Sequence, residues 1–120
     1  VTIVSVKDKI RQASDRAKES VEVPEWDVTI EVRSMSAKQR ARFATLIDSG
    51  VAGDRVEGLW TNILTSCCFD PETGEALFDV SDMEWLLEEK SGAVIDRIVS
   101  ACLEVSGLTP KAVDDAGKSS

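Results

Sequence analysis

No histidine occurs in these 120 residues. Its absence removes both the commonest general base near neutral pH and the commonest metal ligand. Tyrosine is missing too, and the aromatic set is only Trp26, Trp60, Trp85, Phe43, Phe69 and Phe78. A serine or cysteine nucleophile would need a carboxylate or lysine as its activator, and no spacing in the chain proposes one. Cysteine is scarce. Cys67 and Cys68 are adjacent, Cys102 stands alone, and an odd count builds no disulfide framework. A reducing compartment suits them. Three thiols without histidine do not complete a four-ligand zinc site unless a carboxylate joins them. Cys67 and Cys102 fall on apolar helical faces, which makes them packing residues. No apolar run approaches the roughly 20 residues of a membrane helix, and no signal peptide is visible, so no membrane partner is expected. Val1 in place of methionine implies a trimmed or processed N-terminus.

Positive charge is also short. Fourteen basic residues face 22 acidic ones, for a formal charge of −8. Duplex binding is driven by basic groups that displace counterions, so nucleic acid is excluded as the expected partner. The plain consequence of the charge is a highly soluble surface, and the sharper one is attraction for basic partners. Two loop motifs fail on counting. From Asp70, an EF-hand would require glycine at the sixth position and glutamate at the twelfth, where this chain has Glu75 and Ser81. Gly117-Lys118-Ser119 lacks the upstream glycine, the preceding strand and the following helix of a phosphate loop. Neither a catalytic group, a cofactor nor a metal is expected.

What is present is the composition of one folded domain, with 42% hydrophobic and 30% charged residues. A chain of this length can bury roughly two-thirds of its unfolded surface, enough for one modest core. Residues 5–20 are polar. Val6, Ile10, Ala13 and Ala17 have helical spacing but form a weak face, and the segment carries a local excess of basic residues. It reads as a marginal helix or arm. In "VEVPEWDVTIEV", Val21 and Val23, then Val28, Ile30 and Val32, alternate with period two around Pro24-Glu25-Trp26-Asp27, which predicts a β-hairpin.

Ser36 and Gln39 have capping-box spacing and open a helix with Phe43, Leu46 and Ile47 as its stripe, closed by Gly50 and Gly53. Asp54 and Glu57 repeat the spacing before the clearest helical face, Val56, Leu59, Trp60, Ile63, Leu64 and Cys67. "CCFDPETGEALF" predicts a second hairpin. Ser81 and Glu84 form a third capping pair, with Val80 and Trp85 at the positions of a hydrophobic staple. Ser91 caps the last long helix, whose stripe is Val94, Ile95, Ile98, Cys102 and Val105, and Gly107 suits a left-handed stop.

The expected fold is therefore α+β, a small mainly helical domain of about four helices with one or two β-hairpins. Residues 1–20 are expected as a polar arm or marginal helix, 21–109 as one globular domain and 110–120 as a frayed tail.

The order of these elements resembles the tail assembly chaperones of long-tailed bacteriophages and their prophages. The likeness rests on "VEVPEWDVTIEVRSMS", the tryptophan-bearing helix, "DPETGEALF" and "KSGAVIDRI…SGL", and covers about residues 5–109. It implies a non-enzymatic factor that binds the tape-measure protein, keeps it soluble and helps recruit tail-tube subunits. It further implies residence in the host bacterial cytoplasm, absence from the mature virion, self-association, and a longer form of the same chain made by ribosomal frameshifting, this chain being the shorter product.

Trp26, with Pro24 and Glu25, is the candidate partner-binding site, since tryptophan is enriched among interface anchors. The competing reading folds Trp26 back onto the Phe43–Leu46 helix as a buried lid. Trp60 and Trp85, on helical faces, are expected in the core. Two other classes compete with the chaperone. One is a small structural tail or head–tail connector protein retained in the virion. The other is an acidic regulator that binds a basic protein or mimics nucleic acid, which the spread of carboxylates along the chain disfavours.

Overall fold

The computed structural model describes residues 5–48 and 52–108, the side chains of 52–55 excepted. Its elements run α1 (Val6–Gln12), β1 (Lys18–Val23), a 3-10 turn (Pro24–Trp26), β2 (Val28–Arg33), α2 (Ala37–Asp48), α3 (Ala52–Cys67), β3 (Cys68–Phe69), a second 3-10 turn (Val80–Asp82), α4 (Met83–Glu89) and α5 (Gly92–Val105). The class is α+β, as expected, with five α-helices among the described residues and a three-stranded antiparallel sheet in the order β1-β2-β3. The expected tail at 110–120 and the break at Gly50 lie outside the described residues, as does the side chain of Asp54. Gly53, expected in the break, lies inside α3.

The first hairpin follows from its alternation. Lys18 pairs with Arg33 at one end of the ladder and Val23 with Val28 at the other. Val23, Ile30 and Val32 turn inward and are buried, while Val28, beside the turn, is about half exposed at 48%. Pro24 starts the 3-10 turn, where its missing N–H is harmless. Asp27 ends the turn at φ 53 and donates its N–H to the Pro24 carbonyl at 3.1 Å. Aspartate is one of the few non-glycine residues that visits this left-handed region readily.

The second hairpin shrinks to a stub. β3 has two residues, pairs with β2 through Glu31–Phe69 and Val32–Cys68, and meets the returning chain only at a Phe69–Ala76 bridge. Asp70 explains the tight turn. Its Oδ1 accepts from the N–H of Glu72 at 2.8 Å and of Thr73 at 3.4 Å, and its carbonyl accepts from Gly74, which sits at φ 75. The carboxylate that heads the acidic stretch is therefore engaged with its own turn.

α5 packs across β1 and β2 and against α3, and α3 packs on α2 and runs directly into β3. The core fills this layer with Leu59, Ile63 and Leu64 from α3, and with Ile95, Ile98, Val99 and Leu103 from α5. Each such side chain contributes about 1.5–3 kcal/mol of transfer free energy. The Ser36–Gln39 capping box forms as spaced, Ser36 N–H to Gln39 Oε1 at 2.9 Å and Gln39 N–H to Ser36 Oγ at 3.2 Å. α5 ends in a Schellman arrangement. Leu108 N–H reaches the Leu103 carbonyl at 2.8 Å, Gly107 N–H reaches Glu104 at 3.0 Å, and Gly107 adopts φ 77.

All three cysteines are free and buried, with Cys68 and Cys102 sulfurs 3.9 Å apart. The neighbouring Cys102 thiol, together with burial, holds the Cys67 thiol far above its ordinary range. Thiolate is the reactive form. In native buffer near neutral pH, an alkylating reagent is therefore expected to leave the three thiols unmodified, and in denaturant to modify all three, as mass spectrometry would count. Rapid native labelling of Cys67 or Cys102 would contradict this packing.

Candidate functional site

Two short turns build the site, one from each half of the chain. The Pro24–Trp26 turn projects Trp26 from the end of the hairpin. The Val80–Asp82 turn and α4 bring up the opposite wall. Between them lies an open hollow of about 450 Å³, walled by Trp26, Val28, Ile30, Leu77, Phe78 and Trp85. Leu86, which is buried, also lines it, and Glu25 and Lys90 supply its charged groups. Two tryptophans and a phenylalanine around one hollow form the kind of aromatic surface in which a few anchors carry most of the binding energy.

Trp26 is half-buried and packs against the core cluster, and the same side chain forms a wall of the hollow. Glu25 is spent on holding that turn in place. Arg97 of α5 donates to its carboxylate twice, Nη1 to Oε2 at 3.0 Å and Nη2 to Oε1 at 2.6 Å. Pro24 is exposed and lines a separate hollow with Glu22, Asp27, Val28 and Thr29. Of the three candidate residues, Trp26 and Glu25 line the aromatic hollow and Pro24 does not.

Trp85 departs from the expected core position. It is 41% exposed, and its indole N–H donates to Asp82 Oδ1 at 3.2 Å. The cause is a two-residue shift of the cap. Asp79, not Ser81, is the capping residue, and what it caps is the 3-10 turn that runs into α4: its carboxylate accepts from the N–H of Ser81 and Asp82 and from the Ser81 hydroxyl, and Asp82 Oδ2 accepts from Asp79 N–H at 2.9 Å. That shift moves the staple positions to Phe78 and Met83, both of which pack in or against the core. Val80 and Trp85 are left facing out, Val80 at 72% exposure. Trp60 does pack against the core, on the wall of a second hollow with Val56, Leu87 and Ile95.

Charge around the aromatic hollow is uneven. Ser81, Glu84, Glu88 and Glu89 line a small acidic hollow on the other side of Trp85, of about 250 Å³. From Asp70 to Glu104 the only basic residues are Lys90 and Arg97, and Arg97 is paired with Glu25. The surface thus combines exposed aromatic area with excess negative charge, which suits a segment that is apolar on one side and basic on its flanks.

The Arg97 guanidinium beside Glu25 holds that carboxyl below its ordinary value, backbone hydrogen bonding adding to the effect. A lowered folded-state pKa means that the stabilisation is fully present above the unfolded pKa, near 4.5, and is lost as pH falls through the lowered value. The denaturation midpoint of the native chain is therefore expected to fall between pH 6 and pH 3 by more than that of Glu25→Gln. Equal drops in the two proteins would show that the pair does not hold the turn.

Among the described residues, no three cysteine, aspartate or glutamate side chains converge as a metal site, and no helix is long and apolar enough to cross a membrane. The fold and the hollow together define a small α+β domain with an aromatic-lined hollow at the end of its first hairpin. Among solved structures, this fold is similar to that of the bacteriophage HK97 tail assembly chaperone. The TM-score is 0.61 and the identity 18%, over 82% of this chain and 95% of that one. The likeness establishes a shared fold. No protein-family model matches the chain, and no curated protein matches it.

Proposed function

We propose that this chain is a non-enzymatic phage tail assembly chaperone that binds the tape-measure protein, keeps it soluble and helps bring tail-tube subunits to it. The observation that carries the proposal is the shared fold with a tail assembly chaperone across most of both chains. The aromatic hollow supports it independently. A factor that protects a long helical client needs exposed apolar anchors bordered by charge, and Trp85, Val28 and the half-buried Trp26 supply them beside Glu84, Glu88 and Glu89. Binding the exposed client stripe lowers its free concentration by mass action, so no nucleotide is required. The work is done in the host cytoplasm, and the chain leaves before the virion is complete.

Light scattering of the tape-measure protein, diluted from denaturant with increasing amounts of this chain, tests the proposal. Suppressed scattering and a co-eluting complex are expected. Unchanged scattering, with the chain instead present in purified virions, would replace the chaperone by a structural tail protein.

A further inference from the structure

α4 is a short helix with a hollow on each flank and a third along its outer side. At about 100° per residue, its side chains follow one another around the axis as Leu87, Glu84, Glu88, Trp85, Glu89 and Leu86. Leu87 lines the hollow of about 350 Å³ that Trp60 shares with Val56 and Ile95. Leu86, on the opposite flank, lines the aromatic hollow. Glu84, Glu88 and Glu89 line the acidic hollow that lies between the two.

These hollows share their walls. Glu88 belongs both to the Trp60 hollow and to the acidic one, and Trp85 belongs both to the acidic hollow and to the aromatic one. The result is one track across α4, apolar at its two ends and acidic in its middle. Glu84, Glu88 and Glu89 are exposed and join neither of the ion pairs found among the described residues, Glu31–Arg33 and Glu25–Arg97. Their charge is left for a partner. Lys90, the basic residue of the track, lines both apolar hollows and stays clear of the acidic one.

The width of the track selects the shape that fits it. A helix with its side chains is about 10–12 Å across, and that is the span between the two flanks of α4. On a partner helix, residues seven apart lie near one face and are separated by about 10.5 Å. Residues three and four beyond the first project from the same face between them. A helix laid across α4 would therefore fill both apolar hollows with residues i and i+7, and would set basic side chains at i+3 and i+4 over Glu84 and Glu88. An extended segment covers the same distance in about three residues, whose side chains point to opposite faces, so it fills only one hollow.

We infer that the Trp60 hollow, the acidic strip and the aromatic hollow form a single docking surface for a basic amphipathic helix of another protein, with apolar anchors two turns apart. That this helix belongs to the tape-measure protein rests on the proposed chaperone function. The surface itself does not. Two anchors with charge between them make binding depend on spacing, whereas one hollow alone would accept any apolar side chain.

Fluorescence anisotropy of a labelled synthetic peptide, titrated with the full chain, tests the inference. The peptide has about 20 residues, enough to hold a helix, with two leucines seven apart, lysines three and four after the first leucine, and alanine and glutamine elsewhere. Salt-sensitive binding is expected. Moving the second leucine by two positions, or replacing both lysines by glutamate, is expected to weaken binding by about tenfold or more. Glu88→Lys, at an exposed side chain on the track, is expected to weaken the parent peptide by about tenfold, and Glu104→Lys, at an exposed side chain of α5 off the track, is expected to leave it unchanged. Circular dichroism melts check that both variants fold as wild type does. In Trp85→Ala, one leucine is expected to become dispensable while the other still matters. No binding of the parent peptide, equal affinity for both leucine spacings, or equal effects of the two charge reversals would overturn the inference. Binding that weakens as the chain is concentrated would give the surface to a second copy and overturn it as well. A tape-measure protein kept soluble by wild type and Glu88→Lys alike would remove this surface and leave the chaperone function standing. Peptide binding as expected, with no effect of the chain on the tape-measure protein, would count against the client assignment alone.

Discussion

Ile98→Ala is expected to lower the unfolding free energy by about 2–5 kcal/mol, the range for deleting a large aliphatic side chain from a packed core. Ile98 is fully buried on α5, the helix that covers β1 and β2 and packs on α3. Because α5 contacts β1, β2 and α3, the cavity would open where both layers meet. A domain of this size is stable by only about 5–15 kcal/mol, so the variant would lose a large fraction of its margin. Urea denaturation followed by circular dichroism measures the effect as a lowered midpoint. Ile10→Ala removes the same atoms from a side chain that is 70% exposed, and its midpoint is expected to move little. Similar destabilisation by both variants would contradict the burial that distinguishes the two sites.

Trp85→Ala is expected to separate stability from binding. The side chain is 41% exposed and its indole hydrogen bond goes to Asp82, three residues earlier, so the folding cost is expected to be about 1 kcal/mol or less. Loss of an aromatic anchor from a docking surface costs about 2 kcal/mol or more in binding, or roughly 30-fold in affinity. Trp26→Ala should behave differently, losing both binding and stability, because Trp26 packs on the core as well as lining the hollow. Parallel binding titrations and melts of the two variants give the comparison. A Trp85→Ala protein that binds client normally would remove the hollow from the account.

The parts of the fold that depend on near neighbours were legible in the chain. The Ser36–Gln39 box, the alternation about Pro24–Asp27 and the stripes of α3 and α5 each involve residues that meet through local geometry alone. The second hairpin was less legible, because "CCF" pairs with β2 and its turn partner meets it only at Ala76. The cap before α4 was ambiguous for a different reason. Asp79-Asp82 and Ser81-Glu84 are overlapping pairs with the same spacing, and which one closes decides whether Phe78 or Val80 faces the core. Trp85 became a surface residue through that two-residue choice. The aromatic hollow was not legible as a unit. Trp26 stood out in its turn, but its partners Phe78 and Trp85 come from far along the chain and meet it only when the layers pack.

Co-expression of the tape-measure protein with this chain, wild type or Trp85→Ala, tests the central claim most directly through the soluble fraction of the client. The account predicts a soluble, co-purifying client with wild type and an insoluble one with the folded variant. Equal solubility with both proteins would place client binding elsewhere on the surface, and an insoluble client with wild type would contradict the chaperone function itself.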